Sequence, residues 1–263
     1  MYKDYYELNA FPFDNVPDPF FYFPSSSHET TLRRSLFAIQ NRKGAVMICG
    51  EPGCGKTLLI RTLIHSLDSE KYEIGLIGNP SLDTIDLQKE ILYQIGVEDI
   101  PEDKLDIIHS LNENLLNNFK RGKDTVIFID EAHIIKNNEI FDEIRLLLNF
   151  QLDDRYLLTI LLAGQPELRT KISRIPQLEQ RISVKCELKP LTYEETVGYI
   201  TLRLKKSGAK RGIFTKESLD LIYELSGGIP RLINNICDLA LLAGYEKGCE
   251  QIDTVLVNEV AQI

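Results

Sequence analysis

The sequence predicts an α/β fold in which a five-stranded parallel sheet lies between helical layers, followed by a small all-helical domain. Two observations predict this. Short apolar, β-prone runs alternate with stretches of helical periodicity as far as Lys189-Pro190-Leu191, which is typical of a parallel sheet. From Thr192 onward only helical patterns follow. We therefore expect residues 1–190 to form the core, with an N-terminal strap, and residues 191–263 to form a helical lid domain.

Five apolar runs are the strand candidates. They are Ala45–Cys49, Ile74–Ile77, Thr125–Ile129, Leu157–Ala163 and Ile182–Leu188. Two helical stripes separate the later strands, and we interpret both as faces that pack on the sheet. The first consists of Leu105, Ile108, Leu111, Leu115 and Phe119, and the second of Ile140, Phe141, Ile144, Leu147, Leu148 and Leu152.

The lid domain shows its helix boundaries in sequence. Thr192-Tyr193-Glu194-Glu195 matches a capping box, and Thr215 starts a second helix. Gly227-Gly228-Ile229-Pro230 ends that helix, and Arg231 begins another that continues to about Tyr245. A last helix is expected from Asp253 to Gln262. The first 28 residues, rich in Pro, Phe and Tyr, are expected to form an extended strap packed on the core.

Composition excludes several classes of protein. Hydrophobic residues make up 43% and charged residues 26% of the 263 residues, which is ordinary for a soluble globular protein. No apolar run approaches the roughly 20 residues that cross a bilayer. The five cysteines include no C-x-x-C pair, which favours a reduced cytosolic compartment.

The net charge of −9 argues against a surface built throughout for polyanions. One cationic cluster stands out, consisting of Arg203, Lys205, Lys206, Lys210 and Arg211. We favour a solvated helix end and loop over a nucleic-acid contact for this cluster.

A phosphate-binding loop follows the first strand candidate. Gly50-Glu51-Pro52-Gly53-Cys54-Gly55-Lys56-Thr57 matches the pattern G-x-x-x-x-G-K-[ST], and a helical run begins at Leu58. In a strand–loop–helix unit the backbone N–H groups and the helix N-terminus converge on one place, which suits a phosphate. Lys56 supplies positive charge for the outer phosphates, and the Thr57 hydroxyl ligates the accompanying Mg²⁺. The predicted nucleotide-binding residues are Gly50, Glu51, Pro52, Gly53, Cys54, Gly55, Lys56, Thr57 and Leu58.

Two carboxylates end the third strand candidate, at Asp130 and Glu131. The ligand crevice of a parallel sheet lies beyond the carboxyl ends of its strands, so both should lie beside the phosphate loop. Asp130 suits the magnesium shell, and Glu131 is placed to polarise a water against the terminal phosphate. The alternative is that the pair only caps the next helix. Together with Ala132 and His133 the pair also matches a helicase box. Because we expect only helices after the core and no second nucleotide-binding lobe, we interpret His133 as a surface or supporting residue.

Three further polar residues fit roles at this site. Asn79 closes the second strand and would hold Glu131 inactive until the geometry of nucleotide or partner changes. Gln165, after the fourth strand, would reach the terminal phosphate or the attacking water. Arg231 would swing onto the phosphates from the lid. Ordinary turn and capping chemistry is the alternative for each.

Arginines before the fifth strand suit a finger inserted into a neighbouring subunit. Arg181 is the first candidate for this arginine finger and Arg174 the second. A guanidinium at either position would project from the edge of its subunit and stabilise transition-state charge in the site of the neighbouring subunit. Surface salt bridging is the alternative.

With these features the chain resembles the AAA+ ATPases, and within them the general secretion pathway protein A group. The resemblance lies in Phe11-Pro12-Phe13, Pro17–Tyr22, Ser27-His28-Glu29, Gly50–Thr57, Val126–His133, Ala163–Leu168, Leu188–Leu191 and Gly228–Arg231. These blocks cover nearly the whole chain in order.

The resemblance implies an αβα core of the P-loop NTPase type with a small helical AAA+ lid. It further implies hydrolysis of ATP with Mg²⁺ in a homo-oligomer, a ring or a helical filament, whose sites lie between subunits. The strap and core would frame the adenine. We expect a cytoplasmic protein that reaches the inner membrane through a protein of a membrane complex, without inserting directly.

Three functions are compatible with the residues. The first is an ATPase that assembles a secretion or pilus machine. The alternative is a transposition-accessory ATPase that binds DNA, which the acidic charge disfavours and the cationic cluster keeps open. The third is a nucleotide-gated scaffold that hardly turns over.

Overall fold

The computed structural model describes residues 1–261, and the chain divides into two compact units. The sheet unit consists of Ser27–Glu51 and Lys56–Leu188. The lid unit consists of Met1–Ser26, Pro52–Gly55 and the chain from Lys189 onward. The boundary near residue 190 therefore lies where the sequence pattern changes, but the N-terminal segment belongs with the lid helices.

The described residues contain seven strands, twelve α-helices and two short 3₁₀ helices, Pro19–Phe21 and Ala132–Ile134. The strands are β1 Ala45–Gly50, β2 Tyr72–Ile77, β3 Asp124–Ile129, β4 Gln151–Leu152, β5 Arg155–Tyr156, β6 Leu158–Gly164 and β7 Ile182–Leu188. The helices are α1 Tyr2–Tyr5, α2 Ser26–Gln40, α3 Lys56–Ser66, α4 Thr84–Gln94, α5 Lys104–Lys120, α6 Asn138–Leu147, α7 Glu167–Ser173, α8 Pro176–Glu179, α9 Tyr193–Lys206, α10 Lys216–Ser226, α11 Pro230–Glu246 and α12 Thr254–Ala261.

The five long strands form one parallel sheet in the order β2-β3-β6-β1-β7. Its register pairs Cys49 with Gly164 and Ile129 with Leu162, so β1, β3 and β6 end at the same edge. These three central strands are almost wholly buried, as is usual where helices cover both faces of a parallel sheet. The predicted five-stranded parallel sheet is confirmed, with each strand boundary within two residues of the expectation.

Three details of the sheet unit differ from the sequence pattern. β4 and β5 form a short antiparallel hairpin that was not predicted, and Leu152 lies in this hairpin instead of on α6. On α5 the buried side chains are Ile107, Leu111 and Leu115, whereas Leu105 is 66% exposed. Positions four apart share a helix face, so the true stripe is rotated from the expected one.

Aromatic residues of the N-terminal segment complete the core of the lid unit. Tyr2, Tyr6 and Phe13 are buried in one apolar cluster with residues of α9 to α12. The hydroxyl of Tyr6 donates to the carbonyl oxygen of Cys249 at 2.9 Å. The segment thus packs on the lid helices, where a strap on the sheet core was expected. These aromatic rings enlarge the apolar core that the four lid helices form.

The predicted lid helices form as expected. Thr192 makes a complete capping box with Glu195, and Thr215 caps α10 by accepting from the N–H of Ser218. Gly227 ends α10 with a left-handed φ of 56°. The last predicted helix corresponds to α12, and its expected final residue, Gln262, lies outside the described residues. Over residues 1–261, every helix is too short or too polar to span a bilayer.

Candidate functional site

The backbone of the phosphate loop requires glycine at three positions. Gly53 and Gly55 have φ of 83° and 91°, in the left-handed region that other residues adopt only at a cost. A Cβ on Gly50 would lie 2.9 Å from the carbonyl oxygen of Leu188. The loop therefore exposes backbone N–H groups in a conformation that larger residues would distort, and Cys54 is fully buried within it.

Lys56 begins α3 and is held against the start of the loop. Its side chain is 6% exposed, and its ammonium donates to the carbonyl oxygens of Gly50, at 2.7 Å, and Glu51, at 3.0 Å. An ammonium carries three N–H donors, so one remains for an anion. The position of this charge is thus set by the two carbonyls at the beginning of the loop.

A hydrogen bond across the sheet edge joins the loop to the third strand. The Thr57 hydroxyl donates to Asp130 Oδ2 at 2.6 Å, and the backbone N–H of Glu131 donates to Asp130 Oδ1 at 2.8 Å. Asp130 is 4% exposed, so its carboxylate is buried and satisfied by these two donors. The structure therefore brings together Thr57 and Asp130, the two predicted metal ligands.

This donor set fits Mg²⁺ that arrives with a phosphate. A hydroxyl and a carboxylate are the oxygen ligands that Mg²⁺ prefers, and it keeps several waters or phosphate oxygens in its shell. In the part of the chain that the structure describes, His, Cys, Asp and Glu side chains nowhere form a group of three or more that would hold a metal by itself. The residues thus suit an ion shared with a ligand better than an all-protein metal site.

Glu131 follows Asp130 in an unusual backbone conformation. Its φ of 51° and ψ of 29° are left-handed, which for a residue with a side chain costs free energy and recurs at functional sites. Its side chain is 42% exposed, and Oε2 lies 3.3 Å from Nδ1 of His133. Sequence reasoning did not find this contact, although the adjacency of the two residues was visible.

The other two sheet-edge candidates differ in their surroundings. Gln165 directly follows β6, between β1 and β3, and is half-buried. Asn79 is exposed two residues after β2, and its Oδ1 accepts from the N–H of Ser81 at 3.2 Å. Among residues 1–261 the Asn79 side chain makes no hydrogen bond to Glu131, so a restraint of Glu131 by Asn79 stays a prediction.

Arg231 lies beside the apex of the phosphate loop within the lid unit. Its backbone N–H donates to the carbonyl oxygen of Gly53 at 3.3 Å, and a Cβ on Gly53 would lie 2.8 Å from Arg231 Cβ. Pro230 is the first residue of α11, and its fixed φ suits a helix start, so it fixes the backbone on which Arg231 follows.

The two finger candidates have different partners. The guanidinium of Arg181 donates to the carbonyl oxygen of Leu148 at 2.9 Å and to Asn149 Oδ1 at 2.7 Å, at the end of α6. Arg174 is exposed at the end of α7, and within residues 1–261 it has no ion pair or side-chain hydrogen bond. Arg174 is therefore the one whose guanidinium is available to another molecule.

Most of the cationic cluster is engaged within the lid unit. Arg203 is 4% exposed; it donates to the Tyr199 hydroxyl at 2.6 Å and lies 4.7 Å from the centroid of the Phe21 ring. Burial is the main cause of the raised pKa of the Tyr199 hydroxyl, which therefore stays protonated as a neutral partner.

Three further cations of the cluster have partners in the same unit. Lys206 donates to the carbonyl oxygen of Phe20, and Lys210 and Arg211 pair with carboxylates at 3.1 Å and 2.8 Å. Lys205, Lys206, Lys210 and Arg211 are exposed, which fits the predicted solvated helix end and loop, whereas the prediction is wrong for the buried Arg203.

The sequence comparison assigns the family. Residues 39–172 match the AAA domain family, a span that includes Lys56, Asp130, Glu131 and Gln165. The chain belongs to this family. The match confirms the resemblance to the AAA+ ATPases that the motifs predicted.

Individual relatives agree with this assignment. The chain is 37% identical over 259 residues to general secretion pathway protein A of Aeromonas hydrophila. The alignment covers 96% of this chain and 46% of that protein, so the chain spans less than half the length of this relative.

Solved structures show the same AAA+ fold. The ORC2 protein of Aeropyrum pernix, solved as ADPNP-ADP complexes, has a TM-score of 0.70 at 17% identity, covering 95% of this chain and 71% of that one. Drosophila ORC bound to DNA has a TM-score of 0.73 at 16% identity, covering 98% of this chain and 64% of that one. Likeness at such identities concerns the fold alone.

Proposed function

We propose that the protein binds ATP together with Mg²⁺ and hydrolyses it to ADP and phosphate. The hydrogen bond between Thr57 and Asp130, beside the buried ammonium of Lys56, is the observation that carries this proposal. It links a cationic phosphate loop to an anionic strand end, as the binding of a magnesium–phosphate ligand requires.

Each residue has a defined part in the proposed reaction. The third N–H of Lys56 and the loop N–H groups bind phosphate oxygens, and Thr57 and Asp130 hold Mg²⁺, which neutralises charge on the phosphates. Glu131 accepts the proton of the attacking water. Gln165 and Asn79 orient the water and Glu131, and Arg231 contacts the phosphates from the lid.

We further propose a homo-oligomer, a ring or a helical filament, in which an arginine of one subunit completes the site of the next. Arg174 is the better donor, because Arg181 would first have to give up two hydrogen bonds within its own chain. A guanidinium supplied by a neighbour stabilises charge in the phosphoryl-transfer transition state.

The pathway is inferred from the secretion-protein relative. Identity of 37% across 96% of the chain supports a cytoplasmic ATPase that acts in assembly of a secretion or pilus machine, at the inner membrane through a partner protein. A DNA-binding transposition-accessory role has weaker support, because the cationic cluster is largely engaged within its own chain.

Calorimetry and a phosphate-release assay test the proposed activity. Lys56→Ala should abolish ATP binding, whereas Lys136→Ala, which removes an exposed charge, should leave it unchanged. Glu131→Gln should bind ATP and Mg²⁺ but not hydrolyse ATP, and should sediment as a larger assembly. Absence of ATP binding by the folded wild-type protein with Mg²⁺ would refute the proposal.

Subunit mixing tests the shared site. Arg174→Ala and Lys56→Ala proteins, each inactive alone, should regain part of the ATPase activity when mixed, because the two defects fall on different faces. Lack of recovery at every ratio would argue against a finger at Arg174. Tight DNA binding that depends on ATP and falls steeply with salt would instead favour the transposition-accessory role.

A further inference from the structure

His133 places a ring nitrogen against the carboxylate of Glu131. His133 Nδ1 is buried, and within residues 1–261 it has no hydrogen-bond partner. Glu131 Oε2 lies 3.3 Å away, close enough for an ion pair although the alignment falls short of a hydrogen bond. A buried polar atom without a partner destabilises the folded state, so a small rotation of the carboxylate that completes this bond is favourable.

The environments of the two side chains differ in a way that suits one orienting the other. The His133 side chain is 13% exposed, whereas that of Glu131 is 42% exposed. A mostly buried ring has few alternative rotamers, while an exposed glutamate is free to sample several. The ring is therefore the fixed partner and the carboxylate the mobile one.

The backbone that carries His133 is itself held from α7. The ammonium of Lys171 donates to the carbonyl oxygens of His133 and, at 2.7 Å, Ile135. A Cβ on Gly164 would lie 3.0 Å from the backbone nitrogen of His133, so the end of β6 packs closely on the same turn. Since Gln165 follows Gly164, one short segment supports His133 and also presents Gln165.

We propose that His133 is a positioning residue for Glu131. The His133 ring binds one carboxylate oxygen and leaves the other to accept the proton of the attacking water. Lys171 supports it by fixing the turn. This inference rests on the proposed function, in which Glu131 is the base.

Kinetics of ATP hydrolysis separate positioning from binding. His133→Leu should lower kcat about 10- to 100-fold with unchanged KM, because displacing a catalytic group by about 1 Å can cost about 100-fold in rate. His133→Asn should restore most of kcat, since its amide nitrogen replaces Nδ1.

Two matched controls address general effects of substitution. His109→Leu changes an exposed histidine on α5 and should leave kcat unchanged. Lys171→Met should lower kcat, but by less than His133→Leu does. Lys136→Met, at an exposed lysine near the same turn, should leave kcat unchanged. Unchanged ATP affinity in each variant will show that it folds.

Nitrogen NMR of the four histidines provides a readout without ATP. Glu131→Gln should shift the His133 Nδ1 resonance and leave the other three histidines in place. An unchanged resonance, full kcat in His133→Leu, or an Asn variant as slow as the Leu variant would each overturn the inference alone. A wild-type protein that binds ATP without hydrolysing it would overturn the proposed hydrolysis and this inference together.

Discussion

The contact between the phosphate loop and α11 can be tested with one methyl group. In Gly53→Ala the new Cβ would lie 2.8 Å from Arg231 Cβ and 3.0 Å from Ile229 Cγ2. Gly248→Ala is the matched control, because it lies in the same unit, with φ of 67° and nothing within 4 Å of the new Cβ. The control isolates the cost of the left-handed backbone from the cost of the contact.

The two costs follow from the geometry. A left-handed backbone at a residue with a Cβ costs about 1–2 kcal/mol, and both variants carry this loss. Overpacking against Arg231 and Ile229 adds about 1–3 kcal/mol in Gly53→Ala only. Relief of that clash would displace the loop from α11, so we expect ATP affinity to fall at least about tenfold, which corresponds to about 1.4 kcal/mol.

Chemical denaturation and ATP titration by calorimetry measure both quantities. We expect Gly248→Ala to lose stability and keep its affinity for ATP, and Gly53→Ala to lose more stability as well as affinity. Equal losses of stability in both variants, with wild-type affinity for ATP in Gly53→Ala, would refute the argument that this close approach shapes the loop.

Three further outcomes are expected. Thr57→Val removes the hydroxyl that donates to the carboxylate of Asp130, so ATP hydrolysis should fall about tenfold or more and require more Mg²⁺, as loss of a hydrogen bond to a charged group costs about 1.5–3 kcal/mol. Gly228→Ala would place a Cβ 2.0 Å from the carbonyl oxygen of Leu191 and should unfold the lid unit at a much lower denaturant concentration than Gly227→Ala, which meets nothing within 4 Å. Burial raises the pKa of Tyr6 to about 12, so the neutral hydroxyl contributes to the free energy of unfolding below pH of about 10. This contribution is lost as the pH rises towards 12, and the free energy of unfolding of Tyr6→Phe should fall less over that range.

Each of these outcomes has a contrary result. Thr62→Val removes a hydroxyl that bonds only within α3, so an equal loss of hydrolysis there would mean that Thr57 acts through helix stability. Similar denaturation midpoints for Gly228→Ala and Gly227→Ala would contradict the close contact between Gly228 and Leu191. A Tyr6→Phe protein with the same alkaline stability profile as the wild type would show that other groups dominate.

Much of the fold follows from local patterns. The central strands β1, β3 and β6 are largely apolar runs of β-prone residues. Because the strands are parallel, their carboxyl ends lie at one edge of the sheet. The caps at Thr192 and Thr215 are equally local, because a hydroxyl meets an N–H three residues away. Such features depend on neighbours in sequence and are therefore readable without the fold.

Other features depend on contacts between distant parts of the chain. The partner of the N-terminal aromatic rings could not be read from their composition, since burial on the sheet and burial on the lid helices require the same residue types. Arg203 looked like part of a surface cluster until its position under Phe21 was known. The contact of Lys171 with the turn at His133 could not be predicted from the sequence, because its acceptors are backbone carbonyls 36 and 38 positions away.

The amino-acid sequence alone determined the phosphate loop, the carboxylates at Asp130 and Glu131, and the parallel sheet that presents them, because motif spacing and hydrophobic period are local properties. Only the tertiary structure decided that the N-terminal segment belongs to the lid unit, that Arg181 bonds to the end of α6 while Arg174 is exposed, and that His133 faces Glu131. Those outcomes depend on which side chains meet in the folded protein, and packing across the whole chain decides this.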